Sequence, residues 1–162
     1  MNNKFTWLLG GAIVLLLLIS FIKIPVIVGV IDGKRYVLTK NSFQIHWIHS
    51  VEKERWDEFF ERSGNELILT KTILNTFGAG TPSEETIIKS DDHRVHMEIN
   101  RPMKNINLVI SENVQTTIVI DDEAIPLHEI FDHFSEMNIF VDNIHLFNYL
   151  REERLNERIT KQ

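Results

Sequence analysis

The sequence predicts a mostly β fold, an antiparallel β-sandwich or a partly open barrel, preceded by one transmembrane helix and followed by one or two C-terminal helices. Three observations predict it. An uncharged apolar run occupies residues 5–22. Many short runs of β-branched or alternating side chains follow, separated by turn residues. The last residues change to apolar side chains at helical spacing within a charged segment.

The uncharged run predicts a membrane anchor over residues 1–23. As a helix, the run would be about 27 Å long at ~1.5 Å per residue, close to the ~30 Å of a hydrocarbon core. Lys4 and Lys23 bracket it, and Trp7 lies near one end, where an indole favours the headgroup level. A cleaved signal peptide is the alternative, but its apolar region is shorter and ends in a small-x-small site that is missing here.

The charges around the anchor leave its orientation open. Lys23, Lys34, Arg35 and Lys40 follow the run within about 20 residues, so the positive-inside count does not favour export. A very short N-terminal tail is nevertheless the usual layout of a signal anchor. We expect a single pass with the folded domain outside.

Residues 24–143 are predicted to form the β-rich domain. The first apolar run, 24–31, follows the anchor without a linker, and Asp32-Gly33 after it is a strong hairpin signal. Arg101 and Pro102 are expected to interrupt the strand structure and so to separate two strands. Further strands are predicted at 35–39, 42–50, 55–61, 66–77, 94–99, 106–110, 115–121 and 139–141.

The C-terminal residues are predicted to be helical. Pro126 suits the first turn of a short helix. Residues 144–162 are predicted to form an amphipathic helix, because Ile144, Phe147, Leu150 and Leu155 recur along a charged segment. The same pattern fits a helix that packs on the domain and a helix that docks on a partner, so both alternatives stay open.

Composition excludes several classes of function. The 162 residues are 43% hydrophobic and 25% charged, with a formal net charge of −6. We expect no nucleic acid as a partner, because phosphate binding needs a basic surface. The chain has no cysteine, which excludes disulfides, thiol catalysis and zinc–thiolate sites.

Seven histidines raise the question of a metal site. His46 and His49 are three residues apart, as are His93 and His96, and residues three apart on a strand face opposite sides. No HExxH or similar ligand set is present. We therefore expect neither a metal nor a cofactor.

His49, Ser50 and Glu58 are the candidate polar residues. Neighbours on a strand point to opposite faces, so His49 and Ser50 cannot form a serine–base pair with each other, and no G-x-S-x-G motif occurs. Glu58, on the next predicted strand, could hydrogen-bond His49 across the hairpin. Such a pair would be either structural or part of a reactive site.

The second candidate feature is a glycine-containing loop, formed by Phe77, Gly78, Ala79, Gly80, Thr81 and Pro82. Two glycines around an alanine favour positive φ or a close backbone approach. The loop lacks the Lys-Ser/Thr of a phosphate loop, so it is either a tight turn or a recognition loop. We expect it to lie against the hairpin of His49 and Glu58.

These residues, in this order, resemble the domain of unknown function 1850 family. The resemblance rests on His49-Ser50-Val51, Glu58, and Phe77-Gly78-Ala79-Gly80 with Pro82, and it covers most of residues 26–142. Thr81 stands where the family has an apolar residue. Proteins similar to this family are small, often membrane-anchored and commonly encoded beside TRAP-type transporters of the TAXI class.

The resemblance implies a non-enzymatic accessory or assembly domain at the outer face of a bacterial cell membrane. Its partners would be the bilayer, through residues 5–22, and a subunit of a TAXI-class TRAP transporter. Two alternatives stay open: a hydrolase or metal-dependent enzyme that uses His49 and Glu58, and a stand-alone ligand sensor. The expected ligand- or partner-binding residues are His49, Ser50, Glu58, Phe77, Gly78, Ala79, Gly80 and Pro82.

Overall fold

The computed structural model of the protein describes residues 3–77, 86–88 and 93–157. Within them the helices are α1 (Asn3–Ser20), α2 (Leu127–Ile130) and α3 (Leu146–Tyr149). The strands are β1 (Lys23–Ile31), β2 (Lys34–Leu38), β3 (Ser42–Ile48), β4 (Arg55–Ser63), β5 (Glu66–Leu74), β6 (Thr86–Ile88), β7 (Val95–Met103), β8 (Asn105–Val109), β9 (Thr117–Ile120), β10 (Glu123–Pro126), β11 (Glu136–His145) and β12 (Glu153–Arg154).

The strands form two sheets. The smaller sheet has the order β12-β2-β1-β11-β8 and the larger one β10-β9-β3-β4-β5-β7-β6. Neighbouring strands are antiparallel, except that β12 runs parallel to β2. Side chains of both sheets share one core, with Ile27 and Tyr36 from the smaller sheet and Ile45 and Leu67 from the larger. The predicted mostly β, antiparallel fold is confirmed.

The predicted hairpin at Asp32-Gly33 is confirmed. Both residues have positive φ, 50° and 72°, and they join β1 to β2 directly after the pair Ile31–Lys34. Two consecutive positive φ angles match the right-handed twist of the strands, and Asp-Gly adopts them readily. The turn therefore fixes the register of the first two strands.

Strand β1 is buried on both faces of the smaller sheet. On one face of β1, Ile27 and Ile31 enter the main core, while Val26 and Val28 on the other face pack with Ile144 in a separate cluster. A strand covered on both sides needs apolar residues at successive positions. This explains why the run at the start of the domain does not alternate.

The helix predicted over residues 144–162 is wrong for the described residues beyond Tyr149. After α3, the chain forms β12, which pairs with Tyr36 and Val37 of β2. Leu155 then enters the main core with 0% exposure. The edge of β2 offers unpaired backbone groups, and pairing them while burying Leu155 stabilises the strand over a helix.

The predicted interruption at Arg101 and Pro102 is also wrong. Strand β7 continues through both residues to Met103, and Pro102 lies opposite Ile68 of β5. The register of this pair shifts between Leu69 and Lys71, as a β-bulge produces. Pro102 lies beyond the bulge, in a part of β7 that β6 does not pair with in the described residues, and such a strand edge accepts proline, which has no N–H to donate.

Helix α1 leads directly into β1. The N–H of Leu146 donates to the carbonyl of Ile22 at 3.0 Å, and Nδ1 of His145 lies 3.0 Å from the carbonyl oxygen of Ser20. These contacts tie the end of α1 to the start of α3. In the described part of the chain, no helix combines the length and the apolarity that a membrane crossing needs, so the transmembrane helix stays a prediction.

Candidate functional site

Glu58 points into the sandwich. It lies directly opposite Ile45 in the β3–β4 pair, and alternate residues of a strand share one face. Its neighbours on that face of β4 are Trp56 and Phe60, which belong to the main core together with Ile45. A carboxyl group thus occupies a position at which the strand pattern calls for an apolar side chain.

The carboxyl group borders a cavity of about 240 Å³. The cavity lies between Glu58 on the larger sheet and β8, the edge strand of the smaller sheet. The lining residues are Ile45, Trp47, Glu58, Ile106, Asn107, Leu108, Val109, Val114 and Thr116.

Glu58 is the single charged side chain among the described residues that line the cavity. The hydroxyl of Thr116 donates to the carbonyl of Val109 at 3.3 Å and accepts from the N–H of Ser111 at 3.1 Å. The side-chain oxygen of Asn107 accepts from the amide of Asn138 at 2.7 Å. The principal acceptor in the cavity is therefore the Glu58 carboxyl group.

Burial raises the pKa of Glu58 above its ordinary value of 4.5. A hydrogen bond from the Trp47 side chain opposes this rise, because it stabilises the ionised form, but burial is the larger cause. The Glu58 carboxyl group therefore keeps its proton to a higher pH than an exposed glutamate does. Chemically it can accept hydrogen bonds, pair with a cation or, when protonated, donate.

His49 lies just beyond β3, in a turn that folds back on itself. Its N–H donates to the carbonyl of Glu54 at 2.8 Å, and its own carbonyl accepts from Lys53 at 2.9 Å. The imidazole stacks on the Trp56 ring, with centroids 5.1 Å apart and planes 22° apart. Its Nδ1 contacts the carboxylate of Glu52. The ring is therefore held by the hairpin end itself.

Trp47 lies between His49 and Glu58. Over the described residues, neither a hydrogen bond nor an ion pair connects them directly, so the expected cross-hairpin bond is not formed. The Trp47 ring instead packs 5.6 Å from the His49 ring, and its side chain lowers the pKa of Glu58 and lines the same cavity. Trp47 was not among the candidate residues, although its alternation with Phe43 and Ile45 placed it on the same face.

The remaining candidate residues lie away from this cavity or outside the described chain. Ser50 is exposed in the turn after His49, and Phe77 is exposed after the end of β5. Gly78, Ala79, Gly80, Thr81 and Pro82 lie outside the described residues, and with them the expected contact between the loop and the hairpin.

Sequence reasoning missed a polar cluster on the opposite face of β4. Asp57, 4% exposed, contacts Nε of Arg55 at 2.5 Å and Nη2 of Arg94 at 2.8 Å. Nδ1 of His46 accepts from Arg55 at 2.6 Å, while Nε2 lies 3.0 Å from the side-chain oxygen of Gln44. These contacts fit a neutral imidazole protonated at Nε2.

The pKa of His46 is lowered from its ordinary value of 6.5, chiefly by burial. The charge of Asp57 opposes this decrease, and the charges of Arg55 and Arg94 add to it. The cluster is an ion-pair network in which Arg55 and Arg94 neutralise Asp57. Across the described ranges, no group of three or more potential ligand side chains is placed to hold a metal ion.

A larger depression of about 500 Å³ lies on the outer side of the larger sheet. It is bordered by Phe59 and Lys71, whose Nζ lies 4.1 Å from the centre of the Phe59 ring. Its charged lining mixes Lys71 with several carboxylates, and it contains none of the candidate residues. The cavity at Glu58 is smaller but chemically better defined, because one charge faces aliphatic walls.

Comparison with known proteins identifies one family. The family model described as a domain of unknown function (DUF1850) matches residues 43–127, more than half of the chain. No curated protein and no solved structure matches significantly. The matched region begins in β3 and ends after β10, so it contains Trp47, His49 and Glu58. The chain therefore belongs to the DUF1850 family, as its sequence motif indicated.

Proposed function

We propose that the protein is a non-enzymatic domain, anchored at the outer face of a bacterial cell membrane, that serves as an accessory or assembly factor for a TAXI-class TRAP transporter. The observation that carries the anchoring is the surface of α1. The transporter as partner is proposed from the resemblance to the family, whose members are commonly encoded beside such transporters.

The apolar surface of α1 extends around the helix. Leu15, Leu16, Leu17 and Leu18 are consecutive and more than half exposed. Successive residues of an α-helix are about 100° apart, so four in a row face almost every direction. A helix that packs on a soluble domain hides one apolar stripe and shows a polar face. Lipid is the surrounding that suits an apolar helix exposed on all sides.

The end of the domain next to α1 carries further exposed apolar side chains. Phe21 follows α1, while Phe147 and Leu150 belong to or follow α3, and all three are well exposed. The hydrogen bond between Leu146 and Ile22 holds α3 beside the end of α1. If α1 enters the bilayer, these residues come to the level of the headgroups, where apolar and aromatic side chains are favourable.

The proposal is tested by co-purification from membranes of a bacterium that encodes a TAXI-class TRAP transporter. The full chain should remain in the membrane after a high-salt and alkaline wash and should capture an identified transporter subunit. Phe77→Ala should weaken capture, because Phe77 is an exposed residue of the family motif. Phe134→Ala, also an exposed phenylalanine, is the matched control and should capture normally. Release of the wild-type chain by the wash, or capture of no transporter subunit, would contradict the proposal.

A second candidate function, small-ligand binding, is favoured by the cavity at Glu58. A single carboxyl group among apolar walls is the arrangement that orients a small ligand by one polar contact. This function is compatible with a membrane anchor, since the cavity belongs to the sandwich and not to α1.

A further inference from the structure

We propose that the cavity at Glu58 binds a small organic cation, an ammonium group on a short apolar body. The inference rests on ligand binding, the second candidate function, and gives its ligand class. It does not depend on the membrane anchor or on the transporter.

The first step concerns the unmet hydrogen-bonding capacity of Glu58. An ionised carboxylate has about four acceptor positions, and the Trp47 side chain is a nearby donor that favours its ionised form. Among the described residues, no basic side chain forms an ion pair with Glu58. Burying a carboxyl group so sparsely partnered is costly for folding. A ligand that supplies positive charge and donors would offset that cost.

The second step concerns the walls. Ile45, Ile106, Leu108 and Val114 provide aliphatic surface around the carboxyl group. Such walls favour an apolar body and disfavour a highly hydrated ion. The indole of Trp47 also lines the cavity, and aromatic faces attract ammonium groups. A metal ion would need further ligands, and the described part of the chain offers no group of three around this point.

The third step concerns size. A cavity of about 240 Å³ accommodates a molecule of butylammonium size. Asp57 lies on the next position of β4 but faces the other side of the sheet, where two arginines neutralise it. Glu58 is thus an acidic residue of this strand that is partly buried and has no cationic partner among the described residues.

The test uses the full chain in nanodiscs, titrated with butylammonium chloride, n-butanol and sodium butyrate and followed by ligand-observed NMR. Butylammonium should bind about tenfold tighter than n-butanol, as expected for a hydrogen bond to a charged group. Butyrate should bind least. Binding of butylammonium should strengthen as the pH rises through the pKa of Glu58, because ionisation creates the charge that attracts the ligand.

Two variants complete the test. Glu58→Gln keeps the shape of the side chain but not its charge, and should reduce the affinity for butylammonium to that of n-butanol. Glu61→Gln, an exposed glutamate of the same strand, is the matched control and should bind like the wild type. Circular dichroism of both variants shows whether they are folded.

The outcomes separate the ligand class from ligand binding itself. If n-butanol or butyrate binds as tightly as butylammonium, or if Glu58→Gln binds like the wild type, the cation proposal is overturned while the cavity remains a binding site. If none of the three probes binds, the cation proposal and the second candidate function both fail. A further outcome is that the wild type does not bind butylammonium but Glu58→Gln no longer captures the transporter. The occupant of the cavity would then be a side chain of the partner, and this result would also overturn the proposal.

Discussion

The side chain of Trp47 lowers the pKa of the Glu58 carboxyl group, which lies diagonally across β3 and β4 on the same face of the sheet, two residues along from the partner of Trp47. The same indole packs against the ring of His49. Trp47 therefore lies between the two polar residues of the family motif: His49 at the end of the hairpin and Glu58 inside the sandwich. Changes at any of the three are expected to affect the other two.

Glu58→Gln should change how stability depends on pH. Because burial raises the pKa of Glu58 in the folded protein, the folded state holds the proton more tightly than the unfolded state. The stability associated with this proton is complete below about pH 4.5 and is lost as the pH rises through the folded pKa. Glutamine cannot ionise, so the stability of Glu58→Gln relative to the wild type should increase over that range. Chemical denaturation between pH 4 and pH 8 measures the difference.

Two comparisons make this prediction specific. Glu61→Gln, at an exposed position of the same strand, should show a difference from the wild type that changes little with pH. Glu58→Ala should be less stable than Glu58→Gln by about 1–3 kcal/mol, because it leaves the Trp47 N–H without its acceptor. A pH-independent difference for Glu58→Gln would show that the carboxyl group is solvated and not buried.

Trp47→Phe should raise the pKa of Glu58 further. The indole N–H stabilises the ionised carboxylate, and phenylalanine removes that donor while keeping an aromatic ring. Trp56→Phe is the control, because Trp56 packs beside Trp47 and His49 but its side chain is not a cause of the pKa shift of Glu58. Carbon-13 NMR of the Glu58 carboxyl group measures both. An unchanged or lowered pKa in Trp47→Phe would contradict the hydrogen bond.

Leu155→Ala should destabilise the domain by about 2–5 kcal/mol, the usual cost of truncating a fully buried leucine. Leu155 has 0% exposure in the main core. Leu150→Ala, at 68% exposure, is the matched control and should change the free energy of unfolding by less than about 0.5 kcal/mol in detergent solution. Equal effects would favour the amphipathic helix predicted from the sequence over the observed strand β12.

Single cysteines should report the depth of each part in a bilayer, since the chain has no native cysteine. An environment-sensitive dye at Leu15→Cys should be quenched by lipid-bound quenchers in the acyl region. At Phe147→Cys it should be quenched by headgroup-level quenchers, and at Phe134→Cys by neither. Absence of quenching at Leu15 would contradict the anchor. Quenching at Leu15 without quenching at Phe147 would keep the anchor and place α3 away from the surface.

Local signals in the sequence predicted local structure well. Asp32-Gly33 determines a two-residue turn from backbone preference alone, so its hairpin could be predicted without knowing the rest of the fold. The C-terminal segment shows the limit of spacing. The spacing of Phe147, Leu150 and Leu155 fits a helix. A strand forms instead because β2 has an edge to pair with and because Leu155 packs into the main core. Neither feature can be read from the sequence of the segment itself.

The candidate site was predictable in part. His49 and Glu58 could be selected from the sequence, but the orientation of Glu58 depends on its pairing with Ile45. The cavity further requires β8, which belongs to the other sheet. Likewise, Asp57 meets Arg94 only because β4, β5 and β7 are neighbours in the larger sheet. Contacts made by residues far apart in sequence leave no periodic signal.

The central position of β1 has a consequence for the order of folding. Its neighbour β11 pairs Lys23 with His145, residues far apart in sequence, while β3 pairs with β4 and β4 with β5. Short-range pairs form before long-range ones, because closing a long loop costs more entropy. The pairs β3–β4 and β4–β5 can therefore form early during synthesis, whereas one edge of β1 stays unpaired until β11 is made, since β2 covers the other edge. A ribosome that stalls before β11 would leave that edge of an apolar strand open, in need of a chaperone.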